Sequence, residues 1–258
     1  DKVNRMGTGN IPLLIMEFAI PSIVGMLVNG AYNIINAVFL GAALHELGQA
    51  AVTAANPISI VFIAISMLCG NGGNALAALR LGEGDRKGAE RSLGNTFTLC
   101  AIMSVVVACL AFIPPCINTL LTISGTTPEV WDMAKTFIQI LSLGFIFQCI
   151  GLGVNNFIRT AGRPNRALGT MVVGAVVCIA VNYLFVIVLG FGVAGSAAAT
   201  VIGQAASCAC VIWFFTRTKN VSMKLHLKNL KPEARTVTMI LKLGFASFAL
   251  QVAAAIVN

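Results

Sequence analysis

The chain has 258 residues, of which 57% are hydrophobic and only 10% charged, and its mean hydropathy is +0.89. A soluble domain carries about 25% charged residues, so this composition excludes an ordinary soluble enzyme, a disordered tail and a nucleic-acid-binding module. The net charge of +8 comes from basic residues set between long apolar runs, a pattern explained by loop asymmetry across a membrane rather than by nucleic acid.

At about 20 residues per span, the length holds six or seven transmembrane helices. The predicted fold is all-α and polytopic: a bundle of six transmembrane helices with a seventh added. Predicted helix 1 covers Leu13–Leu40, helix 2 Ala50–Leu81 and helix 3 Ser92–Leu121. Helix 4 covers Glu129–Phe157, helix 5 Arg166–Leu189, helix 6 Gly192–Phe215, and helix 7 starts near Arg235 and continues to Asn258. Pro128 and Pro164 precede helices 4 and 5, and Gly190 and Gly192 break the hairpin between helices 5 and 6. Pro21 and Pro57 fall inside helices 1 and 2, where they read as packing kinks.

Fifteen of the 17 Lys and Arg residues lie in the N-terminal segment and in the 2–3, 4–5 and 6–7 connections. The connections between helices 1 and 2, 3 and 4, and 5 and 6 carry none, which places the N-terminus and the basic loops in the cytoplasm of a cell membrane. The chain begins at Asp1 without a methionine, and its first apolar run is too long for a cleavable signal. Helix 7 reaches Asn258 with no polar flank. A shift of 225 residues lays Leu14–Asn33 over Met239–Asn258, matching Ile15 with Ile240, Ser22 with Ser247 and Asn33 with Asn258. The expected organisation is a six-helix lobe over residues 1–217, a basic cytoplasmic linker over 218–234, and the first helix of an incomplete second lobe over 235–258, loosely attached because its partners are absent. The linker is expected either to lie on the membrane surface or to be a solvated connection.

The eight cysteines all sit in apolar runs without a CxxC, which reads as small buried side chains rather than a metal site or disulfide framework. Gly70, Gly72 and Gly73 lack the GxxxxGK[ST] context of a phosphate loop and read as a close helix contact. Gly195, Ala199, Gly203 and Ser207 make a small-residue ridge on helix 6. The interior polar residues are neutral. Asn29, Asn33 and Asn36 share a face of helix 1, Gln148 and Asn155 are seven apart on helix 4, and Thr200 and Gln204 are four apart on helix 6. Singly each reads as an interhelical hydrogen bond; as a set on four helices they point to a hydrated cavity.

Four stretches in order carry a family resemblance: AIPSIVGMLVNGAYNIINAVFLG (Ala19–Gly41), GNGGNALAALRLGEGDRKGAERSLGN (Gly70–Asn95), NNFIRTAGRPNRA (Asn155–Ala167) and GFGVAGSAAATVIGQ (Gly190–Gln204). They resemble the amino-terminal lobe of the multidrug and toxic compound extrusion (MATE) family, in its MepA-like bacterial branch. The resemblance implies twelve helices in two lobes and export of organic, often cationic compounds by alternating access, in exchange for protons or sodium ions. Its partners would be small organic substrates, the lipid bilayer and a second lobe, with no cofactor, no metal and no enzymatic reaction.

The sequence departs from that pattern at the coupling site. Where the family has an acid on helix 1, this chain has Asn36, and the helix-5 pair Asn-x-x-x-Asp is Cys178 and Asn182; Thr200 matches the helix-6 threonine of some branches. All nine acids lie in connections or near helix ends. The expected substrate or ion cavity comprises Asn33, Asn36, Gln148, Asn155, Cys178, Asn182, Thr200 and Gln204, in a lobe that is not the proton-coupling one. Two rival functions are a lipid-linked oligosaccharide flippase, which needs buried Arg or Lys for a pyrophosphate, and a non-transporting membrane scaffold. Lys135 and Lys242 are the only lysines within helices, which argues against the flippase.

Overall fold

The structure is a computed structural model that describes residues 11–218 and 222–257. Within the first helix some side chains, those of Asn29, Asn33 and Asn36 among them, lie outside the described residues. Every long element is helical, as an apolar chain in lipid requires, because a helix satisfies its own backbone polar groups.

The first element, α1, runs Ile11–Gly82 and takes in both predicted helices 1 and 2. A straight helix of that length would reach about 108 Å at 1.5 Å per residue. Instead Val28 lines the same cavity as Ser59, Phe62 and Ile63, so α1 folds back on itself. Its second arm, Ala50–Gly82, has the length and apolarity of a membrane span. Helical backbone thus continues through the stretch that composition assigns to a connection between two separate helices.

Beyond a turn in which Gly84 takes φ +79°, α2 spans Arg86–Phe112. Asp85 caps it, its carboxylate accepting from the Gly88 amide at 2.9 Å. Predicted helix 3 is not continuous. It ends at Ile113, whose extended backbone precedes Pro114 and Pro115, and α3 covers Pro114–Ile123. Two consecutive residues without an amide proton cannot continue the ladder. Predicted helix 4 is also broken, into α4 (Trp131–Leu143), α5 (Phe145–Gly153) and α6 (Asn155–Thr160), with a bend of 57° at Gly144. A Cβ at Gly144 would strike the side chain of Val201, so the bend lets the chain pass close beside its neighbour.

α7 (Pro164–Asn182) continues into a π-helical turn, Tyr183–Val188, and α8 spans Gly192–Arg217. A short 3₁₀ turn, Leu227–Leu230, leads to α9 (Ala234–Val257). Gly25 of α1 faces Leu168 and Met171 of α7, and Phe39 meets Tyr183 with ring centroids 6.4 Å apart. Equal strides along both chains mean that the first arm of α1 runs parallel to α7.

α9 is held closely rather than loosely. A Cβ at Gly72 would land on the Ile240 carbonyl, and one at Gly244 on the Leu68 carbonyl. The two glycines therefore bring α9 and the second arm of α1 into backbone contact. Thr236, Ile240 and Gly244 form the inner stripe of α9, while Met239, Leu241, Phe245 and Leu250 face outward. α9 sits at the edge of the bundle, not at its centre.

The described part of the linker is docked on α2. Met223 is fully buried, the Lys224 amide donates to Glu90 Oε1 at 3.1 Å, and Thr98 Oγ1 donates to the Leu230 carbonyl at 2.6 Å. The Glu233 amide donates to Asn95 Oδ1 at 2.7 Å, just ahead of α9.

Candidate functional site

α7 and α8 approach so closely that side chains are nearly absent between them. Cβ atoms added at Gly203 or Gly174 would meet Cys178 and Ser207 across the interface. The small-residue ridge of α8 packs here, and Gly203 and Ser207 also open onto a cavity of about 290 Å³. The walls come from six segments: Val28 from the first arm of α1, Ser59 and Phe62 from the second, Phe137 and Leu141 from α4, Phe147 and Gln148 from α5, with α7 and α8 closing the ring. This volume lies at the lower edge of small-molecule sites, which run from about 300 Å³ upward.

Four of the eight expected site residues, Gln148, Cys178, Thr200 and Gln204, line this cavity together. Asn182 lies one helical turn beyond Cys178 and is wholly buried. Asn155 is buried outside the lining, its Oδ1 accepting from Thr170 Oγ1 at 2.9 Å. The side chains of Asn33 and Asn36 fall outside the described residues.

The polar groups of the cavity are neutral, and two of its three hydroxyls already donate to helix carbonyls. Ser59 Oγ donates to the Ala55 carbonyl at 3.1 Å, and Thr200 Oγ1 donates to that of Ser196 at 3.0 Å. Gln204 Oε1 is shielded from solvent and accepts no hydrogen bond from the described residues. Not one of the described lining residues is charged. Just behind the wall, Arg159 Nη2 lies 3.6 Å from Met171 Sδ, and Met171 is itself a lining residue.

Sequence reading misses Phe62, Phe137, Phe147 and Met171. On a helix apolar on every face, periodicity carries no signal for which apolar side chain turns toward a cavity. The sequence presents Arg159 only as a loop charge; its place at the end of α6, after the break at Val154, turns it toward Met171.

The motif residues near the basic end join three helices instead of entering the cavity. Asn156 Nδ2 donates to Asn71 Oδ1 at 2.9 Å, Thr160 Oγ1 donates to Asn74 Oδ1 at 2.8 Å, and Asn71 Nδ2 donates to Ser247 Oγ at 3.2 Å. Below them Gly70 lies against the backbone of Gly153, and Gly73 against Thr96.

The MatE family model matches residues 21–184, more than half of the chain. The chain belongs to the MatE family. Among curated relatives, the Multidrug export protein MepA of Staphylococcus haemolyticus (strain JCSC1435) is 23% identical over 233 residues, 90% of this chain and 51% of its own length. MepA of Staphylococcus aureus (strain NCTC 8325 / PS 47) is 21% identical over 241 residues, 92% of this chain and 52% of its own. Among solved structures, the MATE multidrug transporter DinF-BH superposes with a TM-score of 0.90 at 31% identity, over 97% of this chain and 56% of that one. An outward-facing multidrug resistance MATE family transporter of the MOP superfamily gives 0.85 at 25% identity, over 94% and 53%. The chain spans about half the length of the relatives it matches. The fold of this MatE-family chain is that of MATE transporters.

Proposed function

We propose that this chain is the amino-terminal six-helix lobe, with the first helix of the second lobe, of a multidrug efflux antiporter working by alternating access. The observation that carries this reading is the cavity bounded by α1, α4, α5, α7 and α8, lined by both aromatic rings and neutral polar groups. It is a small-molecule site in form, and the relatives are named as multidrug export proteins. The flippase alternative finds no support, since no lysine or arginine lines the cavity to hold a pyrophosphate.

The orientation follows from charge: the N-terminus and the basic connections are cytoplasmic, in a bacterial cell membrane. Helical spacing and the family resemblance assign Asn33, Asn36 and Asn182 to the same substrate site as Cys178 and Thr200. An amide cannot titrate near neutral pH, so the proton-coupling acid belongs to the second lobe. A sodium ion held here by neutral oxygens alone would be poorly compensated.

The test is transport by the full-length protein in vesicles, with pH and sodium gradients imposed separately. Export driven by a proton gradient, and abolished by removal of the second lobe's membrane acids, is the expected result. Proton-driven export that survives loss of every such acid would place coupling in this lobe after all. Absence of gradient-driven export of any organic compound would return the scaffold reading.

A further inference from the structure

We infer that the cavity of this lobe is a subsite for uncharged aromatic compounds that carry a hydrogen-bond donor, and that Gln204 sets that preference. The inference deepens the transporter reading and rests on it. It departs from the preference for cations that the family resemblance implies.

The first ground is charge. No Asp, Glu, Lys or Arg lines the cavity. The sequence has no charged residue over 18–44, 136–158 or 167–216, the stretches that supply most of the first arm of α1, most of α4 to α6, and α7 with α8. An organic cation in lipid-enclosed protein needs a carboxylate, and the described lining from this chain offers none. The charge just behind the wall has the wrong sign. Arg159, half-buried, stands behind the lining residue Met171 at 3.6 Å, and the described residues give it no carboxylate partner.

The second ground is hydrogen bonding. Gln204 Oε1 is a shielded acceptor that nothing described satisfies, and such a group is costly unless a guest or water completes it. Ser59 and Thr200 have already given their hydroxyl protons to helix carbonyls. The unmet group shown among the lining residues is thus the Gln204 Oε1 acceptor, which a donor on a guest would fill. The third ground is shape: Phe62, Phe137 and Phe147 offer ring surface within about 290 Å³, which suits a flat aromatic of one to three rings.

The test uses three probes with one ring system, titrated into the full-length protein in lipid nanodiscs with empty discs as blanks. 2-Naphthol is neutral and donates, 2-methoxynaphthalene is neutral and only accepts, and 2-naphthyltrimethylammonium is a cation. The expected order is 2-naphthol tightest by about tenfold, then the ether, with the cation weakest. Gln204→Leu should bring 2-naphthol down to the level of the ether, and Gln204→Glu should make the cation the tightest of the three. A cation that binds the wild-type protein as well as 2-naphthol overturns the inference, and so does an unchanged naphthol-to-ether ratio in Gln204→Leu. The wild-type order by itself decides the charge preference, even if a variant fails to fold. If the order holds but no organic compound is exported from vesicles, the transporter reading fails and the subsite stands. Export with the order reversed overturns this inference alone.

Discussion

Asn156 donates from Nδ2 to Asn71 Oδ1 at 2.9 Å, and Asn71 passes the link on by donating to Ser247 Oγ at 3.2 Å. One amide thus ties the second arm of α1 to α6 and to α9, at the level where Gly72 and Gly244 bring two of those backbones together. The polar link and the close approach depend on each other: an asparagine reaches a serine on a neighbouring helix only if nothing bulky separates the helices.

Asn71→Leu should therefore cost more than a single membrane hydrogen bond, which averages about 0.6 kcal/mol. Two bonds go and the Asn156 amide is stranded, so a loss of about 1–2 kcal/mol is expected. Unfolding in mixed micelles would measure it. Asn74→Ala, which removes only the Thr160 bond, should lose less than half as much; equal losses would show that the three-helix link has no special weight.

Gly72→Ala should push α9 off α1, because its new methyl group would meet the Ile240 carbonyl. Overpacking of this kind costs about 1–3 kcal/mol. Gly169→Ala on α7, where a Cβ meets nothing within 4 Å, should be neutral or stabilising by up to about 1 kcal/mol. A cysteine pair placed across α1 and α9 would cross-link readily in the wild-type background and poorly with Gly72→Ala.

Asn182→Asp should add a new pH dependence of stability. The residue is fully buried, so the new acid is held in its neutral, protonated form by the fold. The folded state then binds more protons than the unfolded one, so stability falls as pH increases. An ionised acid deep in a membrane helix costs roughly 2.5–3.5 kcal/mol. The thermal midpoint of the variant should approach that of the wild type at acid pH and drop steadily as the solution is made alkaline. A pH profile unchanged from the wild type's would mean that the new acid is ionised in the fold.

Met223→Ala should release the linker from α2. Met223 is buried completely, and such a truncation costs about 2 kcal/mol or more. Glu90→Gln, which weakens the exposed His226–Glu90 pair at 3.7 Å, should cost no more than about 1 kcal/mol. Limited proteolysis within residues 218–234 would read both, with faster cutting expected only for Met223→Ala.

Composition alone determined the membrane class and the all-α fold of this protein, because apolar runs of span length leave the backbone no other way to satisfy itself in lipid. Gly203 and Gly72 were legible as contact points for a similar reason: a residue without a side chain in a long helix marks where another backbone comes near. The cavity was only partly legible. Gln148 and Asn155, seven apart, share a stripe on a straight helix, yet the break at Val154 sends Gln148 to the cavity wall and Asn155 to Thr170. Phe62, Phe137 and Phe147 carried no mark at all, since on a helix apolar all round no face is distinguished until its neighbours are placed. What only the tertiary structure decided is which of many equivalent apolar and amide side chains meet. That choice is made by the bend at Gly144, the fold-back of α1 and the glycine contacts, through packing among distant segments that local sequence does not encode.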